Sequence, residues 1–319
     1  MVEVTEHDGY TNLIISNEIL EVHIFPEIGG KIHKIINKKS GAQYLLQSQK
    51  SDGRYNQPHY GANFEDFDTS GFDECFPNVS DSKVEFENGK ELFFPDHGEL
   101  WSRKWDYEII DKKVKLSIKG VQRKYRFEKI VSLDNHRIDF QYKLQNDCDF
   151  DFQYIWSAHP LLNISEGDEI ILPEGQKKLF LNWSSDASIG SFGDYVNWPL
   201  VDNVNDYSEI KNVSFGKAVK LFTDNLKTGS AGVFFKKYNE TFLINFDTAE
   251  NPYLGVWLTY GGWPVNSSRK HLTIGVEPTC GRPDCLRAGM ENKEVGRVKA
   301  GAANSWSISF SILEGKVQV

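Results

Sequence analysis

Apolar and polar residues alternate along much of the chain, and no other feature narrows its fold so far. Ile138-Asp139-Phe140-Gln141-Tyr142-Lys143-Leu144 alternates without a break, as does Trp306-Ser307-Ile308-Ser309-Phe310-Ser311-Ile312. Shorter runs are Leu20-Glu21-Val22-His23-Ile24 and Val114-Lys115-Leu116-Ser117-Ile118. A period of two puts every second side chain on one face of a strand, the mark of antiparallel sheets with one face on a core. Turn-forming clusters separate the runs: Glu27-Ile28-Gly29-Gly30, Asn88-Gly89, Leu133-Asp134-Asn135 and Thr228-Gly229-Ser230. Helical periodicity is scarce; Asn205 to Ile210 is expected to form a turn or two of helix. The 42 aromatic residues (8 Trp, 13 Tyr, 21 Phe) against 2 Met suit a pleated surface. The expected fold is all-β, a large antiparallel β-sandwich.

With 319 residues the chain is long enough to bury a core unaided. It shows no repeat, low-complexity tract or shift in composition, so a single domain over 1–319 is expected. Residues 50–82 form the one long irregular run. It holds too many rings to be disordered, and a run of that size in a compact domain usually serves function.

Charge narrows the partners. Lys and Arg number 36 against 45 Asp and Glu, a net −9, which argues against nucleic acid or an anionic membrane surface as partner. No stretch approaches the ~18 apolar residues of a membrane span. Glu3, Glu6 and Asp8 stand where a secretion signal carries basic residues, so a soluble, cytoplasmic protein is expected. Cys75, Cys148, Cys280 and Cys285 are too sparse for a disulfide scaffold. Four residues separate Cys280 from Cys285, which is no zinc-knuckle spacing.

Three segments stand apart from the alternation: Pro95-Asp96-His97-Gly98-Glu99-Leu100-Trp101, Tyr154-Ile155-Trp156-Ser157-Ala158-His159-Pro160, and Gly275-Val276-Glu277-Pro278. Each sets a titratable group beside Gly or Pro near a strand end. Counting back from His159 in steps of two gives Ser157, Ile155, Gln153 and Asp151; the other parity gives Ala158, Trp156, Tyr154, Phe152 and Phe150, the core side. Glu277 likewise shares parity with Gly275 and Thr273, while Val276 and Ile274 face inward. The polar face so defined is either a wet outer surface or the floor of a cleft, and parity does not choose.

The three segments, in this order and after the opening Phe25-Pro26-Glu27-Ile28-Gly29-Gly30-Lys31-Ile32, resemble the aldose 1-epimerase (galactose mutarotase) superfamily over nearly the whole chain. His97-Gly98, His159-Pro160 followed by Asn163, and Val276-Glu277-Pro278 downstream of Leu254-Gly255-Val256-Trp257 are similar to its two histidine motifs and its glutamate motif. The resemblance implies a galactose mutarotase-like supersandwich, an isomerase of carbohydrate metabolism that interconverts the α and β anomers of a monosaccharide. By similarity His159 is the acid at the ring oxygen, Glu277 the base at the C1 hydroxyl, and His97 a substrate-binding residue. An unperturbed pKa of ~6.5 leaves both forms of a His available near neutrality. No cofactor or metal is implied; two His and a Glu could ligate zinc, but no HExxH spacing accompanies them.

The chain also departs from the family. Where common mutarotases carry Asn-Arg after a Gly, it reads Gly71-Phe72-Asp73-Glu74-Cys75. Asp73 and Glu74 accept where Arg donates; they either bind sugar hydroxyls or lie on an exposed turn. Asp194 and Asp206 are candidates for the family's substrate-binding Asp. Trp101, Trp105, Trp257 and Trp263 are candidate stacking platforms, Trp263 foremost, while Trp156 falls on the core parity. Two alternatives remain: a hexose-phosphate mutarotase using Arg269, Lys270, Arg282 or Arg287, and a non-catalytic carbohydrate-binding or regulatory module on the same fold.

Overall fold

The computed structural model describes residues 1–85 and 91–319, so the turn expected at Asn88-Gly89 lies outside the described residues. Within these, two large antiparallel sheets share one core. The eight-stranded sheet is centred on Glu240–Phe246, Ala303–Glu314, Arg137–Asn146 and Tyr125–Asp134. Here the period of two works as expected: Ile138, Phe140, Tyr142 and Leu144 are buried on one face, and Trp306, Ile308, Phe310 and Ile312 continue that face on the neighbouring strand. Among the described residues no helix is long and apolar enough to cross a membrane.

The eleven-stranded sheet behaves differently. Its middle runs Phe72–Cys75, Ser157–Leu162, Leu272–Thr279, Tyr253–Tyr260 and Lys217–Phe222, an order unlike that of the sequence. Inward-facing Trp156, Ala158, Val256, Ile274 and Val276 join the shared core, where Phe72 meets Phe140 and Phe310 of the opposite sheet at 5.3 and 5.2 Å. Yet every residue of Ser157–Leu162 and of Phe72–Cys75 is buried. The outer face is covered too. Ala62 and Phe64, from the irregular 50–82 run, pack with Leu46 and Trp101 onto Leu161, which shares the parity of His159. That face is therefore the floor of a cleft rather than a wet surface.

Two details differ from expectation. Asn205 to Ile210 is not helical: Asp206 Oδ1 accepts the backbone N–H of Ser208 at 2.8 Å, a side-chain turn that competes with helix. The α-helix lies instead at Leu286–Asn292 and ends on Lys293 in the left-handed region, φ 62°. The strand leading to His159 is also broken, since Phe152–Tyr154 pairs with Gly296–Val298 in a separate ribbon before Ser157 joins the large sheet. Ile155, expected on the polar face, is buried against Cys75, Val79 and Phe94.

Candidate active site

The strand register brings the two ends of the chain's chemistry together. Ser157–Leu162 lies between Phe72–Cys75 and Leu272–Thr279, with His159 opposite Asp73 and Leu161 opposite Gly275. His159 Nε2 comes 3.7 Å from Glu277 Oε1, although 118 positions separate the residues in sequence. Glycines make room. Gly275 and Gly255 flank Glu277, and a Cβ on either would stand 2.5 Å from Oε1 or 3.0 Å from Oε2.

Gly255 has a second consequence. It faces Glu277 on one side and Phe222 on the other, so the strand between them carries no side chain there. Across that gap the Lys220 ammonium reaches Glu277 Oε2. Its other partner is Asp284, at 3.7 Å, whose Oδ2 accepts from Asn182 Nδ2 at 2.9 Å.

His97 enters from a tight turn. His97 and Gly98 are both left-handed, φ 57° and 76°. A Cβ at Gly98 would fall 2.0 Å from the Phe76 carbonyl, so only glycine allows this approach. His97 Nδ1 meets Asp96 Oδ1 at 2.8 Å, and Asp96 Oδ2 accepts the Phe64 N–H at 2.8 Å. Phe64 stacks on the His97 ring, with centroids 4.2 Å apart, and the His97 and His159 rings stand edge to face at 4.9 Å. Asp96 thus orients both the histidine and the ring that covers it.

These groups line a cavity of about 410 Å³. Its polar lining includes His97, His159, Lys220, Asp284, Asn182 and Thr273. Its apolar wall is aromatic, with Phe64, Trp183, Phe192, Trp257 and Trp263. A mostly apolar, partly open hollow with few convergent polar groups is the usual form of a small-molecule site.

Electrostatics set the protonation states. Burial raises the pKa of Glu277, Lys220 offsets part of that rise, and Asp284 adds to it. Burial pushes His159 well below the ordinary histidine value, and the cationic neighbours His97, Lys220 and Lys31 push the same way. The near-neutral value expected of an exposed histidine does not apply here. His97 is the opposite case: burial opposes its charge, but Asp96 outweighs burial and holds the pKa up. His159 Nδ1, Glu277 Oε1 and Asp284 Oδ1 are buried without a hydrogen-bond partner.

Of the residues singled out in the sequence, His97, His159 and Trp263 line the cavity, with Trp257 beside them, and Glu277 is buried behind that lining, 3.7 Å from His159. Glu74 does not. It points into the shared core, where Oε1 accepts from Lys129 Nζ at 3.1 Å and Tyr142 OH at 3.0 Å, and Oε2 from Trp156 Nε1 at 3.0 Å. Asp73 is buried beneath the site, 2.6 Å from Lys31 Nζ, with burial pushing its pKa up to about 6. Neither lines the cavity or lies on an exposed turn. Asp194 and Asp206 bond to nearby Ser191 and Ser208, and Trp101 and Trp105 are packed inside. Among the described residues the sequence reading missed Lys220, Asp284 and Asn182. No signal marked Lys220: between inward-facing Val219 and Leu221 it takes the polar place of an ordinary alternation. Cys75, read from the sequence as a structural thiol, brings its sulfur within 4.8 Å of a ring nitrogen of both His97 and His159.

No protein-family model and no curated protein matches the chain. Solved structures do. A galactose mutarotase related enzyme from Lactobacillus acidophilus is 15% identical, with TM-score 0.69, over 97% of this chain and 99% of that one. A putative aldose 1-epimerase from Escherichia coli K12 is 13% identical, TM-score 0.69, over 95% and 99%. A galactose mutarotase-like protein from Clostridium acetobutylicum is 12% identical, TM-score 0.67, over 98% of each chain. At such identities the likeness shows the fold, a galactose mutarotase-like β-sandwich.

Proposed function

We propose that the chain is an aldose 1-epimerase-like isomerase acting on an unphosphorylated monosaccharide. The observation that carries this reading is the approach of His159 Nε2 to Glu277 Oε1, 3.7 Å, on the floor of an aromatic-walled cavity. In a pyranose the ring oxygen and the anomeric hydroxyl are borne by the same carbon. An acid and a base that flank one carbon at this separation are placed to exchange protons with both oxygens.

The shifts of the two groups make them one titrating unit. Burial depresses the histidine and raises the glutamate, which draws their proton affinities together and lets one proton pass between them. With that proton on His159, the imidazolium gives it to the ring oxygen while Glu277 takes the proton of the C1 hydroxyl. The bond between C1 and the ring oxygen breaks, leaving an open-chain aldehyde. Rotation about C1–C2 presents the other carbonyl face. The C5 hydroxyl then attacks C1 and returns its proton to His159, Glu277 protonates the carbonyl oxygen, and the couple again holds one proton. Lys220 keeps Glu277 able to ionise in spite of its burial, and His97 donates to the substrate near the ring oxygen. Trp263 and Trp257 offer rings for the C–H face of the sugar.

Two observations weigh against the alternatives. Phosphate recognition calls for unpaired cations in the cavity; its Lys220 is paired with Glu277, and Arg269, Lys270, Arg282 and Arg287 are not in its lining. Arg282 bonds Glu294 and the Thr223 carbonyl, Lys270 bonds two loop carbonyls, and Arg287 is exposed beside Glu291 on the helix. A pure binding module would gain nothing from a buried His–Glu couple with unpartnered atoms, which lowers stability. NMR exchange between anomers, run over a panel of free and phosphorylated aldoses, tests the proposal. Acceleration for at least one free sugar, lost in both His159→Gln and Glu277→Gln, is expected. Binding without acceleration for every sugar would overturn it.

A further inference from the structure

Cys75 takes no part in the reaction proposed above, yet its sulfur faces the two histidines that do. Its strand, Phe72–Cys75, lies beside Ser157–Leu162, with Cys75 opposite Ser157 and Asp73 opposite His159. The Cys75 thiol and one ring nitrogen from each of His97 and His159 all fall within 4.8 Å of one another. Tetrahedral zinc, with Zn–S of about 2.3 Å and Zn–N of about 2.0 Å, needs its ligand atoms roughly 3.3–3.6 Å apart. Contraction from the observed separations is a matter of side-chain rotation. The side chain of a buried cysteine also packs well, and Cys75 does touch Val79, Phe94 and Ile155, so the thiol alone would mean little.

Three further observations point to a cation. The first is orientation: His97 Nδ1 donates to Asp96 at 2.8 Å, so Nε2 is the nitrogen left to bind a metal in exchange for its proton. A carboxylate behind an imidazole is the usual support of a metal-bound histidine. The second is an unpartnered atom. Glu277 Oε1 is buried without a hydrogen bond, and it is 3.7 Å from His159 Nε2, close to the separation of two ligands on one metal. The third is charge. Asp68, Asp73, Asp96, Glu277 and Asp284 surround the cluster, against the ammonium groups of Lys31 and Lys220 alone. Five carboxyl groups against two ammonium groups leave an excess of acidic groups around the cluster. A dication relieves that excess at once.

We propose that Cys75, His97 and His159 form a binding site for one soft divalent cation of the zinc class, with Glu277 Oε1, beside His159, as a further ligand drawn in on binding. Thiolate and imidazole select such a metal over magnesium or calcium. Burial and the carboxylates of Glu277, Asp73 and Asp284 resist ionisation of the thiol, while Lys220 favours it; the bound metal takes the place of the thiol proton. The same four residues include the proposed acid and base, so metal and sugar exclude each other, and the loaded protein is the inactive form.

The experiment uses the reduced, chelator-treated full chain with cobalt(II) or zinc chloride. Cobalt titration is expected to give one equivalent bound, with a thiolate-to-cobalt charge-transfer band in the near ultraviolet that zinc bleaches. Cys75→Ser should lose that band and weaken binding by at least tenfold. Substoichiometric or non-saturating uptake would overturn the proposal, as would a saturated cobalt spectrum without the thiolate band. The wild-type spectrum decides thiolate ligation even if the Cys75 variant fails to fold. Metal uptake is read without turnover, so its failure is distinguishable from failure of the isomerase reading.

Discussion

The large sheet carries a buried Lys–Glu pair on each face, and the two are built to opposite standards. On the core face Glu74 receives Lys129, Tyr142 and Trp156, and Lys129 also donates to the Gly30 carbonyl at 2.9 Å. Both carboxylate oxygens are bonded, and the ammonium lies over the rings of Phe72 and Trp105. This pair ties the two sheets together. On the cavity face Glu277 receives Lys220 through one oxygen only, and its other oxygen is left bare toward His159. An unpartnered buried carboxylate oxygen costs about 1–3 kcal/mol or more. The first pair therefore serves the fold, while the second gives up stability for an atom free to take a proton or a ligand.

The comparison breaks most readily at the carboxylates. Glu277→Gln is expected to slow anomer exchange by about 10²–10⁴-fold with a small loss of stability, because Asp284 still pairs Lys220. Glu74→Gln should do the reverse: a loss on the order of 3–5 kcal/mol in chemical denaturation, since Lys129 keeps no carboxylate, with exchange per folded molecule largely retained. Equal effects on rate and stability in the two variants would show that the faces do not differ as described. His159→Gln comes next, with a loss of about 10²–10³-fold in exchange and an unchanged melting transition.

Lys220→Met sharpens the same contrast through pH. The Lys220 charge lowers the proton affinity of the His159–Glu277 couple, so its removal raises both apparent pKa values. The bell-shaped dependence of kcat/KM should move to higher pH, with activity falling about tenfold on the acid side of the optimum and being partly restored by Lys220→Arg. A profile that keeps its position would assign Lys220 to packing alone. The smallest effect is expected at the wall: Trp263→Ala should raise KM by about two- to tenfold, the value of one aromatic contact, with kcat nearly unchanged.

Much of this architecture was legible in the sequence, and the exceptions share a cause. Alternation in Ile138–Leu144 and Trp306–Ile312 marked strands and gave their inward faces correctly. Parity also set His159 and Glu277 on the side away from Trp156 and Val276. Asp73 and Glu74 were read without parity, as binding sugar hydroxyls or lying on an exposed turn. The turn expected there is a short buried strand, so one carboxylate faces the core and the other lies beneath the site. Ile155 misled for a related reason, because the strand breaks before Ser157 and parity restarts. Lys220 and Asp284 sit in no motif. Only the covering of the outer face shows that an ordinary-looking lysine is a buried cation beside the proposed base.

Periodicity determined that the chain makes half-buried strands, because side-chain direction along a strand is a local property of the backbone. It also determined which residues share a face. What covers each face depends on contacts between residues far apart in the chain, and those were decided by the strand order and by Phe64 and its neighbours closing over Leu161. The bare oxygen of Glu277, its approach to His159 and the thiol of Cys75 behind them belong to that second level. No spacing along the sequence encodes a distance set by a sheet whose neighbours are not neighbours in sequence.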